Sequence, residues 1–158
     1  MSQKITNHQM IIDGKYTNSI TEKTIEIECP ANKRIFASVP RGNEADVDIA
    51  VKSSLKAFRS WSKVMPKERG RILLKIANAI EIEKEDIAKI IATETGNAIK
   101  TQARPEINLV VDIFRYFGGL SSELKGETIP LGEHVLSYTR REPLGVVGAI
   151  IPWNAPVM

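Results

Sequence analysis

Residues 142–156, EPLGVVGAIIPWNAP, decide how this sequence is interpreted. The run Leu144–Ile151 is continuously apolar and lacks the polar–apolar alternation of a half-exposed strand. Such a run is typical of a parallel strand that is covered on both faces, and its glycines indicate close approach of a neighbouring element or ligand. Pro152-Trp153-Asn154 follows at the carboxyl end, the edge where open α/β sheets bind ligands. We therefore expect a binding site at this edge.

This predicted strand has no obvious partner. Parallel strands pair through long crossover connections, yet only residues 152–158 follow the strand in this sequence. We expect the sequence to be an N-terminal fragment or an incomplete reading frame. The alternative is that Leu144–Ile151 pairs with earlier β segments and completes a small, self-sufficient α+β domain.

The first forty residues predict short β elements. Asp13-Gly14 tolerates positive φ at both positions, which predicts a tight turn between Met10–Ile12 and Tyr16–Thr17. Thr24–Glu28 alternates in polarity, as does a strand with one buried face. Ile35–Val39 is its expected partner.

Three helical segments follow. The first begins after Asn43, a good N-cap. The second begins near Pro66, breaks near Glu83 and resumes towards a C-cap at Gly96. The third begins near Pro105. Their expected apolar faces are Val47, Ala50, Val51, Leu55 and Phe58 in the first, Ile72, Leu73, Ile76, Ile80, Ile87, Ile90 and Ile91 in the second, and Ile107, Val110, Val111, Phe114 and Phe117 in the third.

The sequence changes character after the third helix. Gly118-Gly119 is expected to weaken the last turns of that helix. Thr128–Pro130 is expected to be extended, and Val135–Arg141 predicts a strand.

Composition excludes several classes of protein. The 158 residues are 42% hydrophobic and 26% charged, as in ordinary soluble domains. No apolar run reaches the roughly 18 residues of a membrane span, and the first residues lack an apolar signal core, so we expect a cytoplasmic protein without a membrane partner. The net charge is +3, but the basic residues are scattered among acids, which argues against a nucleic-acid partner. Cys29 is the only cysteine, which excludes an internal disulfide.

The whole chain resembles the aldehyde dehydrogenase superfamily. Residues 142–156 are similar to a signature of that family, and Tyr138–Gly145 is especially similar to betaine aldehyde and aminoaldehyde dehydrogenases. Further similar motifs stand in the family's order at Ile11–Lys15, Pro30–Asn32 (with Cys29 where Asn is usual), Glu68–Leu73, Glu94–Gly96 and Phe114–Gly119.

The resemblance implies an α/β fold and an activity. Residues 1–125 would be the N-terminal part of the cofactor-binding domain, residues 126–142 an oligomerisation hairpin, and residues 143–158 the first strand of the dinucleotide-binding sheet. The parent protein would oxidise a small-molecule aldehyde to a carboxylic acid with NAD or NADP, as a homodimer or tetramer.

The resemblance also assigns roles to four consecutive residues. Asn154 would donate to the oxyanion that develops when a cysteine thiolate attacks the aldehyde, and such donors contribute roughly 3 kcal/mol in comparable sites. Ile151, Pro152 and Trp153 would lie along the nicotinamide cofactor. Judged without the resemblance, Asn154 would be read as a turn residue, and Trp153 equally as a core residue. Ala155 stands where many relatives carry an aromatic residue, which suggests a roomier substrate entrance.

Other functional residues of the family have no match in these 158 residues. The nucleophilic Cys, the general-base Glu, the Gly-rich turn and the ribose-binding Lys would all follow Asn154, so we expect these residues alone to be inactive. Cys29 lies in the β region and is expected to be structural. His8 and His134 are expected to be solvated. Glu94 aligns with a monovalent-cation site of some relatives, but an ordinary solvated acid is the favoured interpretation.

Two other functions stay open. The chain could be a non-catalytic homologue whose helices and hairpin form an interaction module, with Val135–Arg141 as a free strand edge. A basic RNA-binding domain is the third possibility, and it would require salt-dependent binding.

Overall fold

A computed structural model describes residues 5–158. The chain begins with small sheets. Strands β1 (Thr6–Asn7), β5 (Arg34–Pro40) and β4 (Thr24–Cys29) form one sheet in that order, with β1 parallel and β4 antiparallel to β5. Strands β2 (Met10–Ile12) and β3 (Lys15–Thr17) form a separate hairpin.

The turns between these strands follow the expected chemistry. Asp13 and Gly14, between β2 and β3, have φ of 53° and 70°, which a two-residue hairpin turn of the primed type requires. The predicted partnership of residues 24–28 with residues 35–39 is also confirmed, with Ile25 opposite Val39 and Ile27 opposite Ala37.

Helix α1 (Glu44–Trp61) begins with a complete capping box. The Asn43 side chain accepts from the Asp46 backbone N–H at 3.0 Å, and the Asp46 carboxylate accepts from the Asn43 N–H at 2.9 Å. Asp46 is buried and also accepts from the Ser19 hydroxyl and the Ile20 N–H. The same carboxylate therefore caps the helix and ties it to the segment after β3.

The remaining helices contain the core. Helices α2 (Pro66–Ile82) and α3 (Lys84–Thr95) abut at Glu83, as expected, and Gly96 ends α3 with φ of 78°. A π-helix, Ile99–Ala103, then leads directly into α4 (Arg104–Leu120). The buried core cluster consists of Ala88, Ile91, Ala103 and Ile107, and Ile80, Ile87, Ala92 and Ile99 pack against it.

One of the two glycines late in α4, Gly118, lies at a close crossing of two helices. The helix continues to Leu120, and Gly118 is buried where α4 packs against α2. A Cβ built at Gly118 would lie 3.0 Å from the Leu74 side chain, and one built at Gly70 would lie 2.5 Å from the Gly118 carbonyl oxygen. Gly118 therefore allows the close approach of α4 to α2, and the expected weakening of the last turns by Gly118-Gly119 stays a prediction.

The predicted apolar faces are covered unevenly. Ile107, Val110 and Val111 of α4 are buried, but Phe117 is exposed. On α2, Ala77 is buried while Ile72 and Ile76 are exposed, and on α1 Val47, Val51 and Leu55 are exposed. The predicted burial of these five residues of α1 and α2 was therefore wrong for residues 5–158. The other members of the two stripes are partly buried, namely Ala50, Phe58, Leu73 and Ile80.

The last part of the chain departs most from expectation. Strands β6 (Thr128–Pro130) and β7 (Leu136–Tyr138) form an antiparallel hairpin, so the predicted strand 135–141 is shorter than expected. The predicted strand 144–151 forms no ladder with any other part of residues 5–158, and Leu144 is 98% exposed. A strand is held by hydrogen bonds to a neighbour, and the early β segments pair among themselves. The alternative of a self-sufficient domain completed by that pairing is therefore wrong.

Within the described residues, no helix is both long and apolar enough to cross a bilayer.

Candidate functional site

Residues 151–154 form an exposed segment that begins with the last residue of the apolar run Leu144–Ile151. Ile151, Pro152 and Asn154 are exposed, and Trp153 is 82% exposed. All four predicted site residues therefore present their side chains to solvent on one short stretch. An aromatic side chain of that size is usually at least partly covered, so its exposure is consistent with a contact surface.

Two polar side chains hold the backbone of this stretch. The Asn97 amide Nδ2 donates to the Asn154 carbonyl oxygen at 3.2 Å. The Glu106 carboxylate oxygen Oε1 accepts from the backbone N–H groups of Val157 and Met158 at 3.1 and 3.3 Å. These contacts dock residues 154–158 against the loop between α3 and the π-helix and against the first turn of α4.

Sequence reasoning missed both Asn97 and Glu106. Glu106 follows Pro105 in the first turn of a helix, where an acidic residue is common because it opposes the positive helix end. Asn97 follows a helix C-cap, where Asn is also common. Each residue therefore has an ordinary local explanation, and nothing in the sequence pointed to a contact 51 residues or more along the chain.

The Asn154 side chain is free to act as a donor. Its backbone carbonyl is engaged by Asn97, while its carboxamide is on an exposed residue. An amide N–H at a fixed position can stabilise negative charge that develops on a nearby oxygen. The anchored backbone and the exposed carboxamide suit that chemistry.

The remaining candidates lie elsewhere or in ordinary surroundings. Cys29 is buried at the end of β4, and Gly96 packs against the neighbouring Pro30. Glu94 is exposed. Across residues 5–158, the structure brings together no group of three or more His, Cys, Asp or Glu side chains that could hold a metal ion.

The segment is compatible with a cofactor lying along it. Ile151 and Trp153 are exposed, and no strand ladder engages the backbone of residues 151–153. A planar ring system could therefore contact both the backbone and the indole of Trp153. A cradle for a pyrophosphate, which needs a Gly-rich turn opening a helix, is not part of the described chain.

Comparison with known proteins identifies the family. Residues 16–158 match the model of the aldehyde dehydrogenase family. The chain is 40% identical over 150 residues to an aldehyde dehydrogenase of Aspergillus niger, and 38% identical over 150 residues to aldehyde dehydrogenase 1 of Tanacetum cinerariifolium. Each alignment covers 94% of this chain and 30% of the relative, so the chain spans about a third of the length of these proteins.

Solved structures agree. An aldehyde dehydrogenase from Bacillus cereus superimposes with a TM-score of 0.92 at 37% identity, over 96% of this chain and 31% of that one. A betaine aldehyde dehydrogenase from Staphylococcus aureus, solved in complex with NAD+, superimposes with a TM-score of 0.89 at 29% identity, over 95% of this chain and 30% of that one. The described residues therefore have the fold of the corresponding third of such enzymes, and the chain belongs to the aldehyde dehydrogenase family.

Proposed function

We propose that these residues are the N-terminal part of an enzyme that oxidises an aldehyde to a carboxylic acid with NAD or NADP. Residues 1–125 and 143–158 contribute to its cofactor-binding domain, and residues 126–142 form a hairpin for subunit assembly. In this proposal the 158 residues catalyse nothing by themselves.

The observation that supports the proposal best is the uncovered apolar run, residues 144–151, within the family match. The match runs through residue 158. Inside it, the apolar run is uncovered, since Leu144 is 98% exposed and Ile150 is fully exposed. Burying such side chains stabilises a protein by about 1.5–3 kcal/mol each. We infer that further sequence packs against this run and completes the sheet.

Asn154 has the central chemical role in this proposal. Its carboxamide N–H would donate to the aldehyde oxygen as negative charge develops there during attack by a thiolate. The interaction is stronger for the oxyanion than for the neutral carbonyl, so it lowers the barrier rather than merely tightening binding. Cys29 does not supply that thiolate, because it is buried at the end of β4.

Ile151, Pro152 and Trp153 would bind and orient the cofactor. When bound, NAD or NADP would accept the hydride from the substrate carbon. These three residues would place the cofactor beside Asn154, because Asn154 directly follows them in the chain. The structure of the Staphylococcus aureus relative was solved with NAD+, which supports a nicotinamide cofactor for this family.

The β6–β7 hairpin supports the assembly role. Leu131, Val135, Leu136 and Tyr138 are all exposed on or beside it. A two-stranded hairpin with exposed apolar residues is marginal in water on its own, and its free edges can add to another sheet. This hairpin also favours the second candidate function, a non-catalytic interaction module.

An aldehyde-dependent reduction assay tests the proposed activity. The full-length gene product should reduce NAD or NADP with a short panel of aliphatic and amino-substituted aldehydes, whereas residues 1–158 alone should give no signal above buffer. Absence of turnover in the full-length product would contradict the enzyme function and favour the interaction module. Turnover by residues 1–158, surviving removal of host dehydrogenases, would contradict the proposed inactivity.

A further inference from the structure

We propose that Glu106 is a positioning residue for the reaction, because it fixes the backbone that carries Asn154. This inference rests on the proposed function of Asn154. Glu106 is half-buried in the first turn of α4 and approaches the Asn154 segment from a different element. It joins the first turn of α4 to residues 157 and 158, which follow the site residues 151–154.

The geometry is that of a shared acceptor. A single oxygen, Oε1 of Glu106, accepts from two successive backbone N–H groups, those of Val157 and Met158. Hydrogen bonds in which the acceptor is ionised are roughly twice as strong as neutral ones. Two donors on one carboxylate oxygen therefore restrain both position and orientation of this backbone.

The restraint reaches Asn154 through a rigid link. Ala155 and Pro156 separate Asn154 from Val157, and both are partly buried. Pro156 has a fixed φ and restricts Ala155 as well. Asn97 adds a second restraint on the same side of the Cα by donating to the Asn154 carbonyl oxygen. The backbone that follows the Asn154 Cα is thus held at three points, which fixes where its side chain starts.

Glu106 itself is anchored to the core. It directly precedes Ile107, which is fully buried in the cluster with Ala88, Ile91 and Ala103. A donor that must match a developing charge needs such support, since a displacement of about 1 Å can cost 100-fold in rate. Glu106 supplies the connection between that rigid core and the donor.

Substitutions in the full-length gene product test the inference. Glu106→Ala should lower kcat by about 10- to 100-fold with little change in the KM for the aldehyde, because the lost contribution belongs to the transition state. Glu106→Gln keeps an acceptor oxygen at the same place and should restore most of kcat. Asp112→Ala, which removes an exposed carboxylate from the same helix, is the matched control and should leave kcat unchanged.

A second readout follows the backbone directly. Hydrogen exchange of a peptide covering residues 153–158 should be faster in Glu106→Ala than in Asp112→Ala, while the melting temperatures of the two variants stay similar. Unchanged exchange, or unchanged kcat, in Glu106→Ala would overturn the positioning role. Asn154→Ala separates this failure from that of the proposed function: if Asn154→Ala also leaves kcat unchanged, the assigned role of Asn154 is wrong, and if it lowers kcat, only the inference about Glu106 is wrong.

Discussion

Asp46 shows how one side chain organises the start of the chain. The Ser19 hydroxyl, the Ile20 N–H and the Asn43 N–H all donate to its carboxylate, at 2.6, 2.9 and 2.9 Å. These hydrogen bonds favour the ionised form, the Ser19 contribution being the largest, and lower the pKa of Asp46 below its usual value of 3.8. The carboxyl group therefore stabilises the fold more when it is ionised than when it is protonated.

A pH dependence of stability follows. Because the folded-state pKa of Asp46 is depressed, its contribution is fully present above pH 3.8 and is lost as the pH falls through the lower, folded-state value. Asp46→Asn should be less stable than the wild type near neutral pH and should lose less stability on acidification. Urea unfolding at several pH values measures both, with Asp112→Asn, an exposed carboxylate, as the control. Equal pH slopes for the wild type and Asp46→Asn would contradict the prediction.

The sequence could predict such residues only in part. The N-cap Asn43 could be predicted because capping involves only residues close together in the sequence. The bond between Ser19 and Asp46 spans 27 residues, and the Glu106 contact with Val157 spans 51. Long-range partners of this kind leave no periodic signal, so Glu106 and Asn97 could not be found from the sequence.

Among the elements, the crossing of α2 and α4 depends on two glycines. Gly70→Ala would place a methyl group about where the Gly118 carbonyl oxygen and the Ser121 side chain already lie. Overpacking of this kind costs about 1–3 kcal/mol, which outweighs the gain of up to about 1 kcal/mol from better helix propensity. We expect Gly70→Ala to be destabilising by denaturant unfolding.

Gly119 provides the matched control for this crossing. It lies in the same helix as Gly118, but a Cβ built there meets no atom within 4 Å. Gly119→Ala should therefore be neutral or stabilising by up to about 1 kcal/mol. If Gly70→Ala and Gly119→Ala shift the unfolding midpoint in the same direction by the same amount, the close approach of the helices is not what requires Gly70.

The type of each element could be predicted where the sequence pattern is strong. Which residues of an element are buried was harder to predict. The capped helices and the Asp13-Gly14 hairpin appear where local signals placed them. The apolar run Leu144–Ile151 has the composition of a strand but pairs with no other strand of the described residues. Pairing requires a neighbouring strand, and the composition of one segment cannot predict whether that neighbour is present. The exposed apolar residues of α1 and α2 also lack a neighbouring element that would cover them in the described residues.

At the scale of the whole molecule, both tryptophans of the chain are exposed to solvent in the described residues. Trp153 is 82% exposed and Trp61 is 45% exposed. With Trp61→Phe in place, acrylamide should quench the remaining Trp153 fluorescence of residues 1–158 nearly as efficiently as free tryptophan. The same variant in the full-length product should be quenched less if further sequence or a cofactor covers the segment. Strong protection of Trp153 in residues 1–158 would contradict the described surface.

The role of Asn154 is tested most directly by turnover of the full-length gene product carrying Asn154→Ala, beside Asn78→Ala as an exposed asparagine control on α2. Loss of an oxyanion donor should lower kcat by about 100- to 1,000-fold, with a much smaller change in the KM for the aldehyde and full activity in Asn78→Ala. A kcat of Asn154→Ala equal to that of the wild type would contradict the assignment of this carboxamide to the reaction.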